Sequence, residues 1–151
     1  MPTFIRKQNR LKEYDYSADG EYFVTVCTAD KACILGRITP GSGETLLSEI
    51  GKIAASSLER LPEVFHGVSI PAYVIMPNHL HMIVRLSGSS RTLSQILNSF
   101  KGAVSKQARV SVWQKSFYDH IIRDDDDYNR VCEYIANNPA VWAGDEYFSS
   151  Y

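Results

Sequence analysis

The chain has 151 residues, enough for one domain with a sizeable core, and 44% of them are hydrophobic, which excludes a disordered chain. A net charge of −1 does not by itself suggest nucleic acid, and no apolar run reaches the length of a membrane span. No charged-then-apolar leader opens the sequence, so a soluble, intracellular protein is the expectation.

The distribution of charge says more than its sum. Residues 1–12 hold Arg6, Lys7, Arg10 and Lys12 and no acid. Residues 85–123 hold seven basic groups (Arg85, Arg91, Lys101, Lys106, Arg109, Lys115 and Arg123) against Asp119 alone, and residues 124–151 hold seven acids against Arg130. Basic stretches of this kind suit a surface that tracks phosphates, although any one of these residues could equally be part of a solvated helix face.

In chain order, residues 5–20 read as a polar arm ending in the turn Ser17-Ala-Asp-Gly20. Glu21 to Thr28, with Tyr-Phe-Val-Thr-Val-Cys, predicts a strand. Pro40-Gly-Ser-Gly43 predicts a turn between two short strands within 34–47. From Ser48 to Leu61, apolar residues at Ile50, Ile53, Ala54, Leu58 and Leu61 recur at helical spacing. Cys27, Cys33 and Cys132 are odd in number and lack Cys-x-x-Cys spacing, which argues for buried thiols and against a disulfide scaffold or a structural zinc site.

The stretch Tyr73-Val-Ile-Met-Pro-Asn-His79-Leu-His81-Met-Ile-Val-Arg85-Leu86 predicts two tightly joined strands, 72–76 and 79–86. Alternation along the second puts Leu80, Met82, Val84 and Leu86 on one face, to be covered by helices. His79, His81, Ile83 and Arg85 fall on the other. Two imidazoles aimed the same way, about 7 Å apart between Cα atoms, can share one divalent ion. A His-x-His strand is also compatible with two polar residues on a half-exposed sheet face.

After the loop Gly88-Ser-Ser, Thr92 and Gln95 form a capping-box pattern that opens a second helix. Its buried stripe is Leu93, Ile96, Leu97, Phe100 and Val104, and its other side carries Lys101, Lys106 and Arg109. Phe117 to Ile122 predicts the fourth main strand, and a third helix follows over roughly 125–138. Asp124 to Asp127 precede or open that helix, where the dipole favours carboxylates, so they are read as a helix start and not as a metal cluster. The stripe of the third helix is Tyr128, Val131, Cys132 and Ile135, and Asn138-Pro139 ends it. The core order βαββαβ predicts a single α+β domain over 1–151, a ferredoxin-like or split-βαβ antiparallel sheet with helices on one face. The histidine face is then expected to stay open for a ligand.

Tyr134 and Asn138 lie four apart, on one face of the third helix and at the edge of its stripe. A helix laid near the sheet could present a hydroxyl and an amide oxygen to the His pair. Asn138 would supply a third, oxygen ligand, in a site suited to Mg²⁺ or Mn²⁺, and Tyr134 an oxygen nucleophile. Spacing alone equally allows Tyr134 to pack at a helix edge and Asn138 merely to stop the helix.

The sequence resembles the REP-associated tyrosine transposases, a branch of the HUH single-strand DNA nucleases. The matching stretches are Arg10-Leu-Lys-Glu-Tyr-Asp-Tyr16 with Glu21-Tyr-Phe-Val-Thr-Val26, Val74-Ile-Met-Pro-Asn-His-Leu-His81, Ser99-Phe-Lys101, Trp113-Gln114, Phe117-Tyr-Asp-His-Ile-Ile-Arg123 and Tyr134-Ile-Ala-Asn-Asn-Pro139. They occur in family order and span most of the chain. The resemblance implies an HUH nuclease fold, metal-binding His79 and His81, and Tyr134 as nucleophile. Asn138 stands where related enzymes place a polar metal ligand, often glutamine. His120 recurs in the family without an assignable role. The implied reaction cleaves and rejoins single-stranded or hairpin DNA at palindromic repeats through a 5′-phosphotyrosine, with a divalent ion and no nucleotide cofactor. Arg6, Lys7, Arg10 and Lys12 of the arm, and Lys101, Lys106 and Arg109, are candidates for the hairpin backbone, and Tyr14, Tyr16 and Trp113 for base stacking. The implied setting is the bacterial cytoplasm at the nucleoid, as monomer or homodimer.

Two other readings compete. One is a non-catalytic nucleic-acid-binding module whose open sheet stacks bases. The other is a metal-dependent hydrolase with water as nucleophile, which needs an acidic ligand near the His pair; Asp119 is the nearest offer.

Overall fold

A computed structural model of the protein describes residues 19–144. The arm bearing Arg6, Lys7, Arg10, Lys12, Tyr14 and Tyr16 lies outside the described residues, as does the tail from residue 145. The main elements are β1 (Gly20–Cys27), β2 (Gly36–Arg37), β3 (Leu46–Leu47), α1 (Glu49–Val64), β4 (Val68–Met76), β5 (His79–Leu86), α2 (Leu93–Ala108), β6 (Tyr118–Ile122) and α3 (Asp125–Asn137). The last is followed by a 3-10 segment, Pro139–Gly144.

Four strands form an antiparallel sheet in the order β4-β5-β1-β6. β1 is antiparallel to β5 and β5 to β4, so β1 and β4 run parallel with β5 between them. β5 and β6 flank β1 in the same way. These are two split βαβ units, the ferredoxin-like arrangement expected from the element order. β2 and β3 pair separately, across the turn expected at Pro40–Gly43.

Local chemistry sets the ends of the elements. Ser48 caps α1 by accepting from Gly51 N, and Thr92 and Gln95 complete the capping box of α2. α1 runs through Pro62 to Val64, beyond the expected Leu61. β4 starts at Val68, four residues earlier than its apolar run implied, and its register shifts between Ser69 and Ala72, around Pro71. An edge strand tolerates that interruption because Pro removes a hydrogen bond that no neighbour needs.

The larger core lies between one sheet face (Tyr22, Val24, Val26, Leu80, Met82, Val84 and Leu86) and helices α1 and α2. α3 takes the opposite face. Its Val131, Tyr134 and Ile135 pack on Phe23, Ile83 and Ile122. The helices thus do not all share one face, and the histidine face is not open. The reason lies in that face's own composition: Phe23, Ile83 and Ile122 stand among its polar residues and need cover, and α3 offers a matching stripe.

Asn138 also departs from expectation. Although it precedes Pro139, it keeps a helical backbone, φ −57° and ψ −48°. This carries the last turn of α3 directly into the 3-10 segment and keeps the Asn138 side chain on the face of Tyr134.

Candidate active site

Register places the site. On the α3 side of the sheet, Val74, His81, Thr25 and Tyr118 form one cross-strand row, and Ala72, Ile83, Phe23 and His120 form the next. His79 faces Cys27 and Met76 at the end of β5. The two imidazole centroids are 4.7 Å apart. Both rings are fully buried, at 0% and 1% exposure.

Each ring is held through Nδ1. Asn78 Nδ2 donates to the Lys31 carbonyl at 3.3 Å, which turns Asn78 Oδ1 toward His79 Nδ1, 2.9 Å away. An amide oxygen can only accept, so His79 donates from Nδ1–H and keeps the lone pair on Nε2. That is the neutral tautomer a metal requires. His81 Nδ1 is hydrogen-bonded to the buried Thr25 Oγ1 at 2.8 Å. Phe23 stacks on His81, with centroids 5.2 Å apart.

α3 brings the other two candidates. Tyr134 is buried, its ring edge-on to both His81 (5.2 Å) and Phe23 (5.8 Å). It sits within the buried stripe, not at the stripe's edge. Asn138 is buried as well, and its Nδ2 donates to the Tyr134 carbonyl at 3.1 Å. Its Oδ1 is buried and receives no hydrogen bond from the described residues. An acceptor in that state is costly unless something else fills it. Trp142, from the 3-10 segment, lies 6.2 Å from His79 and closes that end with Ile38 and Met76.

Among the described residues, no group of three His, Cys, Asp or Glu side chains could hold a metal. A divalent ion here would rest on His79, His81 and an amide oxygen, with water or substrate oxygens completing its shell. The donor set present fits such an ion: a lone-pair nitrogen on His79, a second ring fixed beside it, and the unsatisfied Oδ1 of Asn138.

An uncharacterised protein of Haemophilus influenzae is 34% identical over 95% of this chain and 93% of its own. A second Haemophilus influenzae protein, itself assigned as a REP-associated tyrosine transposase, is 25% identical over 83% of this chain and 73% of its own. The chain is a REP-associated tyrosine transposase-like protein. A solved structure of a REP-associated tyrosine transposase bound to a REP hairpin shares the fold of this transposase-like chain, with TM-score 0.66 and 21% identity over 86% of this chain and 73% of that one. No family model matches.

The other candidate residues are dispersed. Lys101 is a correction: it is buried, not on an outer basic face, and burial lowers its pKa. It lies four residues after Leu97 and three before Val104, so it falls on the buried stripe of α2. Lys106 and Arg109 are exposed, but α2 lies on the side of the sheet opposite the His pair. Trp113 is buried against Phe100, which makes it a packing residue. Asp119 pairs with Val24 and so points to the α1–α2 side, away from the histidines. Tyr118 shares the histidine face, across Thr25 from His81.

Thr25, Phe23 and Trp142 escaped sequence reasoning because each joins the site through register or a long-range contact. Asn78 was visible beside His79, but the role of its amide was not.

Proposed function

We propose that the chain is a transposase that cleaves and rejoins single-stranded DNA at palindromic hairpin repeats, with Tyr134 as nucleophile and His79, His81 and Asn138 holding Mg²⁺ or Mn²⁺. The observation that carries this reading is the Tyr134 ring edge-on to His81, with Asn138 one turn further along at the end of α3 and bonded to the Tyr134 carbonyl. An ion held there would act as a Lewis acid toward the scissile phosphate and its leaving oxygen.

The chain's own residues do the rest. Thr25 and Asn78 fix the two rings, and Asn78 sets the His79 tautomer. Tyr134 Oη forms a bond to phosphorus and the bond from phosphorus to the 3′-oxygen breaks, leaving a 5′-phosphotyrosine and a free 3′-hydroxyl. The Tyr134 phenol must lose its proton during attack, and the departing 3′-oxygen gains one. Attack by a 3′-hydroxyl on the phosphotyrosine reverses the step and rejoins strands. The cover over Tyr134 excludes bulk water, which favours rejoining over hydrolysis. Exposed basic residues and the basic arm 6–12 are the contacts for the hairpin backbone.

Burial of the histidine face weighs against a binding module that stacks bases on an open sheet, and the direction of Asp119 weighs against a water-using hydrolase.

The test is to incubate the full chain and Mn²⁺ with single-stranded DNA carrying the palindromic repeats that flank its own gene. We expect a covalent adduct that Tyr134→Phe loses and Tyr118→Phe keeps, with DNA binding retained by both. Peptide mapping that finds DNA on Tyr118, or on no tyrosine, sinks the assignment.

A further inference from the structure

His120 is a motif residue that the proposed reaction leaves without a task. It lies on β6 opposite Phe23, on the same sheet face as the His pair. Its Nε2 is 3.0 and 2.8 Å from the two carboxylate oxygens of Asp127.

The Asp127 carboxylate is a junction. It also accepts from Arg123 N at 3.3 Å and meets Arg130 at 3.5 Å. The Asp127 N–H donates to Asp124 Oδ1 at 2.8 Å, so Asp124 already caps the helix. A second acidic residue buried in the first turn and aimed sideways at β6 is more than the helix start requires. Its side chain is only 8% exposed, and of its two ionisable partners Arg130 is farther away and 59% exposed. His120 is therefore the principal partner of a carboxylate that would be costly to bury alone.

The geometry extends to Tyr134. Asp127, Val131, Tyr134 and Asn138 succeed one another at helical spacing and are all buried, so they form the sheet-facing stripe of α3. Tyr134 stands two turns beyond Asp127, roughly 10 Å along the axis. A rigid helix pinned at its first turn has its slide and rotation fixed at the third. Another polar tie, Arg85 over Tyr128 at 5.9 Å, uses a half-exposed arginine and holds the flank of the helix, not this stripe.

We propose that His120 is a positioning residue for Tyr134: paired with Asp127, it fixes the seat of α3 on the sheet and so the place of the Tyr134 hydroxyl over His81. This rests on the reading of Tyr134 as nucleophile.

The experiment compares the full-length wild type with His120→Ala and His120→Gln, the latter keeping an N–H donor near the position of Nε2. It reads the single-turnover rate of adduct formation at saturating single-stranded hairpin DNA, the affinity for that DNA, and amide hydrogen exchange in α1, α2 and α3. His120→Ala should slow adduct formation roughly ten- to a hundredfold, leave affinity within about twofold, and speed exchange in α3 while sparing α1 and α2. His120→Gln should regain most of the rate. A wild-type rate in His120→Ala, equal losses in both variants, or faster exchange in all three helices overturns the proposal. A wild type that forms no adduct overturns the reading of Tyr134 and the positioning role with it. A normal wild-type adduct with unchanged α3 exchange in His120→Ala overturns the positioning role alone.

Discussion

At the scale of single residues, the site combines ring nitrogens whose direction is set by short hydrogen bonds. The Asn78 amide can be oriented only one way, because Lys31 O demands its donor, and the tautomer of His79 follows. Outer hydrogen bonds of this kind are worth about ten- to a hundredfold in metal affinity. Asn78→Ala should therefore weaken Mn²⁺ binding by that factor in calorimetry, and His79→Ala or His81→Ala should remove both binding and strand cleavage. Because both rings are fully buried, the alanine variants will also melt earlier, so cleavage is to be measured where circular dichroism shows them folded. Full cleavage by either would dismiss the metal site. Lys101 makes the converse point. A lysine among basic neighbours reads as a phosphate contact, yet its four-residue step from Leu97 places it against the core.

At the scale of elements, α1 and α3 are seated by opposite means. α1 comes very close to the chain preceding it: a Cβ on Gly51 would stand 2.0 Å from the Leu35 carbonyl oxygen, whereas one on Gly102 of α2 would meet nothing within 4 Å. Gly51→Ala should cost about 1–3 kcal/mol through overpacking. Gly102→Ala should gain about 0.5–1 kcal/mol from helix propensity and lost chain entropy. Urea denaturation of the pair measures both signs.

α3, in contrast, depends on a buried carboxylate. Burial pushes the Asp127 pKa up, but the hydrogen bond and charge of His120, the Arg123 N–H and Arg130 outweigh it and hold the carboxyl below its ordinary value. A carboxyl depressed in the folded state stabilises fully above its unfolded pKa and less as pH falls through the folded one. The stability gap between wild type and Asp127→Asn should thus persist down to the ordinary value, 3.8, and close below it. A gap that widens in acid would contradict this account of the junction.

At the scale of the whole molecule, the two faces of the sheet have separate work. The α1–α2 face carries the larger apolar core, and the other carries the candidate chemistry under a single short helix. Under the proposed function, a scissile phosphate would have to pass beneath or beside α3 to reach Tyr134. Single-stranded or hairpin DNA should accordingly be cut and fully paired linear duplex should not, with binding that weakens as salt rises. Equal cleavage of duplex in a gel assay is the result that would count against the proposed function.

The sequence by itself determined the main strands apart from the start of β4, the cap of α2, the βαββαβ order and the pairing of His79 with His81 on one strand face. These follow from periodicity and from contacts within a few residues, which local sequence encodes. Tyr134 and Asn138 were also legible as neighbours on one helix. What only the tertiary structure decided is the side of the sheet that α3 covers, and with it the burial of the site, the Thr25 and Phe23 contacts to His81, and the reach of Asp127 to His120. The physical reason is that the α3 stripe would satisfy the exposed apolar residues of either sheet face equally well by pattern alone. The choice is made when α1 and α2 fill one face and leave Phe23, Ile83 and Ile122 to be covered on the other.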